Sequence, residues 1–218
     1  DHIPGAVNLA VLNDEERAEV GTLYQESAFE GKKLGARLVA ANLANILCDP
    51  HLMKLPQDAK LLVYCYRGGD RSGSLAVTLS RIGWKVCVLK GGYKGYRRGV
   101  REILQEKLPL LKVVLIGGKT GSAKGKLLTS LESSGCQTLD LEGLANHRGS
   151  VLGEVPDEGQ PTQKYFETLL AAKVLSLDVN RCVYVEAESS RIGRVALPEQ
   201  LFSGMKAAPM ATVELPME

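Results

Sequence analysis

Cys65-Tyr66-Arg67-Gly68-Gly69-Asp70-Arg71-Ser72 directly follows the apolar run Leu61-Leu62-Val63-Tyr64 and precedes a helix-like segment from about Ser74 to Ile82. Apolar strand, glycine-rich turn and helix, in that order, put a thiol at a strand end facing a helix N-terminus. The two arginines, the backbone N–H groups of the turn and the helix dipole would together stabilise a thiolate and bind an oxyanion in front of it. Cys65 is therefore the candidate nucleophile, with Arg67 and Arg71 as its anion-binding partners. The spacing of cysteine, five residues and arginine suits two chemistries: hydrolysis of a phosphate ester by an attacking thiolate, and carriage of sulfur or selenium on the thiol.

Outward from this run, helix-like and strand-like segments alternate. A polar stretch at 13–24 and a helix around 33–47 precede the strand at 60–64; a strand at 86–89 and a basic helix from about 93 to 108 follow. A second unit opens with the buried-strand run Lys112-Val113-Val114-Leu115-Ile116, then a glycine loop at 117–125 and a helix ending near Gly135. A strand at 137–141, a helix at about 162–176 and a strand at 182–185 complete it. The pattern predicts two α/β domains with mostly parallel sheets and flanking helices, residues 1–108 and 109–218. Leu108-Pro109-Leu110 is the expected joint, because proline disfavours continuation of the preceding helix.

Composition narrows the classes. Over 218 residues, 44% hydrophobic and 24% charged is ordinary globular composition and excludes disorder. A net charge of +2 does not demand a nucleic-acid partner, so only local clustering argues for one. The five cysteines are odd in number and lack CxxC spacing, which argues against a disulfide framework and a zinc site; no metal site is expected. No apolar run approaches the roughly 18 residues of a membrane span, and Asp1-His2-Ile3-Pro4 does not open a signal peptide. The expectation is a soluble, cytoplasmic fragment of a longer protein, for which an organelle-targeting peptide would lie upstream of Asp1.

Three further segments carry chemistry. In the glycine loop, Gly118 and Lys124 hold P-loop spacing, but Ala123 replaces the second glycine and Gly125 the hydroxyl residue. Gly118, Gly121, Ser122 and Lys124 would cradle a phosphate or diphosphate; magnesium is not expected there, since its usual hydroxyl ligand is missing. The run from Lys90 to Arg101 interleaves basic residues with Tyr93 and Tyr96 and has no carboxylate, so Lys94 and Arg97 are candidates for an RNA backbone. Asp140, Glu142, His147 and Arg148 follow one strand, and Glu186, Glu188 and Arg191 another, where α/β sheets place their ligands.

His2-Ile3-Pro4-Gly5-Ala6-Val7-Asn8 and the cysteine loop resemble rhodanese-like domains and the phosphatases built on that fold. On that resemblance residues 1–108 are a rhodanese-like domain missing its first strand, and a loop one residue longer than in ordinary rhodaneses suits a phosphate-sized anion. Read in order, several motifs follow that loop: Gly91-Gly92-Tyr93-Lys94-Gly95-Tyr96-Arg97, the P-loop, Asp140-Leu141-Glu142 through Asn146-His147-Arg148-Gly149-Ser150, Gln160-Pro161-Thr162-Gln163, and Glu186-Ala187-Glu188-Ser189. Together they resemble the tRNA 2-selenouridine synthase family: a rhodanese domain followed by a P-loop NTPase-like α/β domain, here truncated at its C-terminus.

The resemblance implies an enzyme acting on wobble 2-thiouridine of tRNA. Its sulfur is geranylated from geranyl diphosphate, and selenium from selenophosphate then replaces the geranylthio group. Cys65 matches the family's essential cysteine, and no tightly bound cofactor is implied. The family usually has Gly-Lys-Thr where this chain has Ala123-Lys124-Gly125. Two alternatives stay open at this level: a rhodanese-fold cysteine phosphatase using Cys65 and Arg71, and a non-catalytic tRNA- or nucleotide-binding module with a degenerate P-loop.

Overall fold

A computed structural model describes residues 1–118, 122–148 and 159–214, and divides the chain into two compact units, His2–Tyr96 and the residues from Arg97 onward. In the first unit, α1 (Asp14–Glu26) starts on a capping box: the Asn13 side chain accepts from Glu16 N–H and the Glu16 side chain from Asn13 N–H. Helices α2 (Ala28–Ile46) and α3 (Pro50–Met53) lead to the strand β1 (Lys60–Val63). Helix α4 (Asp70–Ile82) crosses back to β2 (Lys85–Val88), which pairs parallel with β1 in the register Leu61↔Val86. Val11, Ile46, Leu52, Leu75 and Leu79 form the core beneath this pair, with Leu61, Val63, Trp84 and Val86 packed against them. Helix α4 begins at Asp70, earlier than the expected Ser74: Gly69 is the cap residue, with φ −115° and ψ −143°, and an acidic first residue suits the positive helix end.

Helix α5 (Gly92–Lys107) starts in the first unit, but its residues from Arg97 belong to the second. The compact units thus divide within α5, at 96/97, and the second part of the helix carries buried Arg97, Val100 and Leu104. Leu108–Leu110 forms a 3-10 turn that packs on α9 (Glu199–Ala207).

The second unit is a four-stranded parallel sheet. Its strands are β3 (Lys112–Gly117), β4 (Gln137–Leu139), β5 (Cys182–Glu186) and β8 (Met210–Thr212), in the order β4-β5-β3-β8. Val113, Ile116, Val183 and Val185 are buried on the two central strands, as expected where helices cover both faces. Around the sheet lie α6 (Lys124–Ser133), α7 (Leu141–Ala145) and α8 (Gln163–Leu175); β6 (Arg191–Ile192) and β7 (Val195–Ala196) form a small antiparallel hairpin. Strand β4 stops at Leu139, two residues short of the sequence expectation, because Asp140 caps α7 by accepting from Gly143 N–H at 2.7 Å. No helix among the described residues is long and apolar enough to cross a membrane.

Candidate functional site

In the first unit the β1–α4 loop places Cys65 at the C-terminal end of a parallel strand pair, where α/β folds gather reactive groups. The loop is shaped by close backbone approach. Gly68 has φ +71° and Gly92 φ +56°, and a Cβ on Gly92 would lie 2.1 Å from Cys65 O and 2.5 Å from Gly68 N. With no side chain there, Tyr93 N–H donates to Cys65 O at 2.9 Å and Lys94 N–H to Tyr66 O at 3.0 Å, which stitches the loop to the start of α5.

The Cys65 sulfur accepts from Gly69 N–H at 3.4 Å, and Ser72 Oγ lies 3.3 Å from it. The same hydroxyl is 3.0 Å from Gly69 O, so its one proton serves one acceptor or the other. Partial burial raises the thiol pKa, but the bonds from the Ser72 hydroxyl and from the amides of Gly69, Ser72 and Arg67 outweigh it and bring it down from 9.0 to about 7. Arg67 is exposed and Arg71 half-buried; neither guanidinium is engaged by a hydrogen bond or ion pair among the described residues. Both remain available to an incoming anion. Ser72 and Gly92 were not singled out as site residues in the sequence. Ser72's place in the first turn of α4 was the legible signal, while the role of Gly92 depends on a contact 27 positions away in sequence.

In the second unit β3, β4 and β5 deliver Gly118, Asp140 and Glu186 to one edge of the sheet, as the register Ile116↔Glu186 and Leu139↔Val185 requires. Gly118 sits at φ +151°, with Ser122 Oγ 2.7 Å from where a Cβ would be. Lys124 opens α6 and donates from Nζ to Gly118 O at 3.1 Å. Gly121 lies outside the described residues. Ala123, where a P-loop has glycine, takes a left-handed conformation at φ +59°, which a methyl-bearing residue adopts at a cost of about 1 kcal/mol.

Three carboxylates meet beside Lys124. Glu142, Glu186 and Glu188 each offer an oxygen, and these lie within 4.8 Å of one another. Burial, and then the charges of Glu142 and Asp140, push the Glu186 carboxyl up to about 7 against the pull of Lys124. Burial, then a hydrogen bond and charge from Glu142, push Glu188 up to about 7 as well. Such groups hold or release a proton near neutrality.

The remaining candidates separate. Asp140 is spent on capping α7, and His147 is buried, its Cδ2 only 2.8 Å from where a Cβ on Gly193 would sit in the β6–β7 turn. Arg148 and Arg191 are exposed, as is Lys94. Arg97 is not available to RNA as the sequence suggested. It is 8% exposed, paired with Glu167, and donates to Lys164 O at 2.8 Å and Thr168 Oγ1 at 2.9 Å. A basic run in sequence does not reveal that one of its arginines has an acidic partner 70 positions away.

Residues 1–98 match the family model for the rhodanese-like domain, and residues 111–218 that for the tRNA 2-selenouridine synthase AAA domain. A tRNA 2-selenouridine synthase of Nitrosomonas europaea is 37% identical over 99% of this chain and 56% of its own length. That of Sulfurovum sp. is 36% identical over 99% and 58%, and that of Shewanella oneidensis 38% over 97% and 56%. The chain spans somewhat more than half the length of the curated relatives it matches. With an activated cysteine at the strand ends of one parallel sheet and a lysine-bearing glycine loop at those of another, the chain matches, in order, the rhodanese-like domain and the AAA domain of tRNA 2-selenouridine synthase.

Proposed function

We propose that this chain is the rhodanese and P-loop part of an enzyme that converts wobble 2-thiouridine of tRNA to 2-selenouridine. The observation that carries the reading is the Cys65 loop, in which a thiol drawn down to about 7 lies at a helix start, with Arg67 and Arg71 in the same segment making no hydrogen bond or ion pair among the described residues. Such a site is suited to a soft, charged chalcogen nucleophile delivered on an anionic carrier such as selenophosphate. Arg67, Arg71 and the loop amides would hold its phosphate, with Cys65 assisting the displacement in which selenium leaves phosphorus as phosphate is released, bonds to C2 of the uridine and expels the geranylthio group as geranylthiol. Gly118, Ser122 and Lys124 would take the diphosphate of a geranyl donor, whose C–O bond breaks as the thiouridine sulfur attacks. Exposed Lys94, Arg148 and Arg191 would meet the tRNA backbone.

The test is mass spectrometry of digested tRNA. Full-length protein given thiolated tRNA, geranyl diphosphate and selenophosphate is expected to exchange sulfur for selenium at one uridine. An unchanged nucleoside mass would sink the reading. Release of phosphate from an aryl phosphate, lost in Cys65→Ser and indifferent to Lys124→Ala, would point to a phosphatase instead.

A further inference from the structure

Glu186 is 1% exposed, and its Oε2 has no hydrogen-bond partner among the described residues. A buried carboxylate oxygen with nothing to accept from is costly, and such orphans mark the place of an unseen ligand. Around it the chain brings two more acidic side chains, Glu142 and Glu188, instead of the donors that would satisfy it. Lys124 is near enough to act on Glu186 and Glu188 electrostatically, yet a single ammonium does not balance three carboxylates.

We propose that Glu142, Glu186 and Glu188 hold one hard divalent cation, magnesium or manganese, beside Lys124. Carboxylate oxygens without sulfur or imidazole select this class of ion. Oxygens bound to one such ion at about 2.1 Å lie about 3 to 4 Å apart, so ligand atoms already within 4.8 Å need only a small contraction.

The site also accounts for Gly125. In a P-loop the residue after the lysine supplies a hydroxyl to the metal. Here it has no side chain, and a Cβ at that position would lie 3.4 Å from Glu186 Oε1. The glutamate thus reaches the place from which a hydroxyl would have acted, and the carboxylate set takes over the ligand that the loop has lost. That the bound ion also faces the donor's phosphates rests on the proposed function; the ion site itself does not.

Manganese binding to the full chain, stripped with EDTA and returned to chelator-free buffer, tests it through the electron paramagnetic resonance signal of the free ion. One saturable site is expected, with magnesium competing for it. Glu186→Gln and Glu188→Gln are each expected to weaken it by about 10-fold or more while circular dichroism and the melting temperature show an intact fold. The absence of a saturable site, or variants that fold and bind manganese like the parent, overturns the proposal. Inorganic diphosphate binding to the parent and to Lys124→Ala, measured in EDTA, tests the other reading separately. No diphosphate binding in the parent, or binding unchanged in Lys124→Ala, with manganese binding intact, overturns the diphosphate assignment and leaves the ion in place.

Discussion

A thiol with a pKa of about 7 is ionised in roughly half the molecules at neutrality, where an ordinary cysteine is a few per cent thiolate. Alkylation of Cys65 by iodoacetamide is therefore expected to rise with a midpoint near pH 7. Ser72→Ala removes the hydroxyl 3.3 Å from the sulfur and moves that midpoint upward. A midpoint in the ordinary range in the parent protein, or one indifferent to Ser72, refutes the account of the loop. Ala123 is the other residue whose chemistry is local. Its φ of +59° is one that glycine adopts without steric penalty, so Ala123→Gly is expected to stabilise the second unit by about 0.5–1 kcal/mol. Urea unfolding decides it, and destabilisation would mean that the methyl group earns its place by packing.

Among the elements, α5 carries two different demands. At its start Gly92 lets the helix approach the cysteine loop. Gly92→Ala places a carbon 2.1 Å from Cys65 O and is expected to cost about 2 kcal/mol or more in stability and to slow Cys65 alkylation at pH 7. Further along, Arg97 binds Glu167 within the second unit. Glu167→Ala leaves a buried guanidinium unpaired, at a cost of about 3–5 kcal/mol seen as a fall in melting temperature. Lys94→Ala, on an exposed position of the same helix, should leave stability within about 0.5 kcal/mol and reduce the salt slope of tRNA binding by about one. If Lys94→Ala behaves like Glu167→Ala, the division of the helix into a structural and an RNA-facing part is wrong.

For the whole molecule, each unit carries one of the two proposed anion sites, and the proposed chemistry divides between them. In the tRNA assay with full-length protein, Lys124→Ala is expected to leave 2-thiouridine unaltered. Cys65→Ser is expected to stop after alkylation, so the nucleoside carries a geranyl mass and no selenium. A selenium-containing product from Cys65→Ser would remove the cysteine from the reaction.

The strand–turn–helix order around Cys65 and around Lys124 was legible because both depend on local rules. Apolar runs make strands, glycine runs make turns, and a helix started by either presents its amides to an anion. Those rules cover the two sites' positions, the α/β class and most of the elements. The short pieces β6, β7, β8 and α9 were not legible: each is nine residues or fewer, and β8 exists because β3 offers it an edge. Tertiary structure alone decided which polar residues are spent on the fold. It turned Arg97 into a buried counter-ion and Gly92 into a point of backbone contact. It also assembled Glu142, Glu186 and Glu188 into one cluster. Each of these depends on a partner brought close by chain reversal, and sequence spacing carries no measure of that distance.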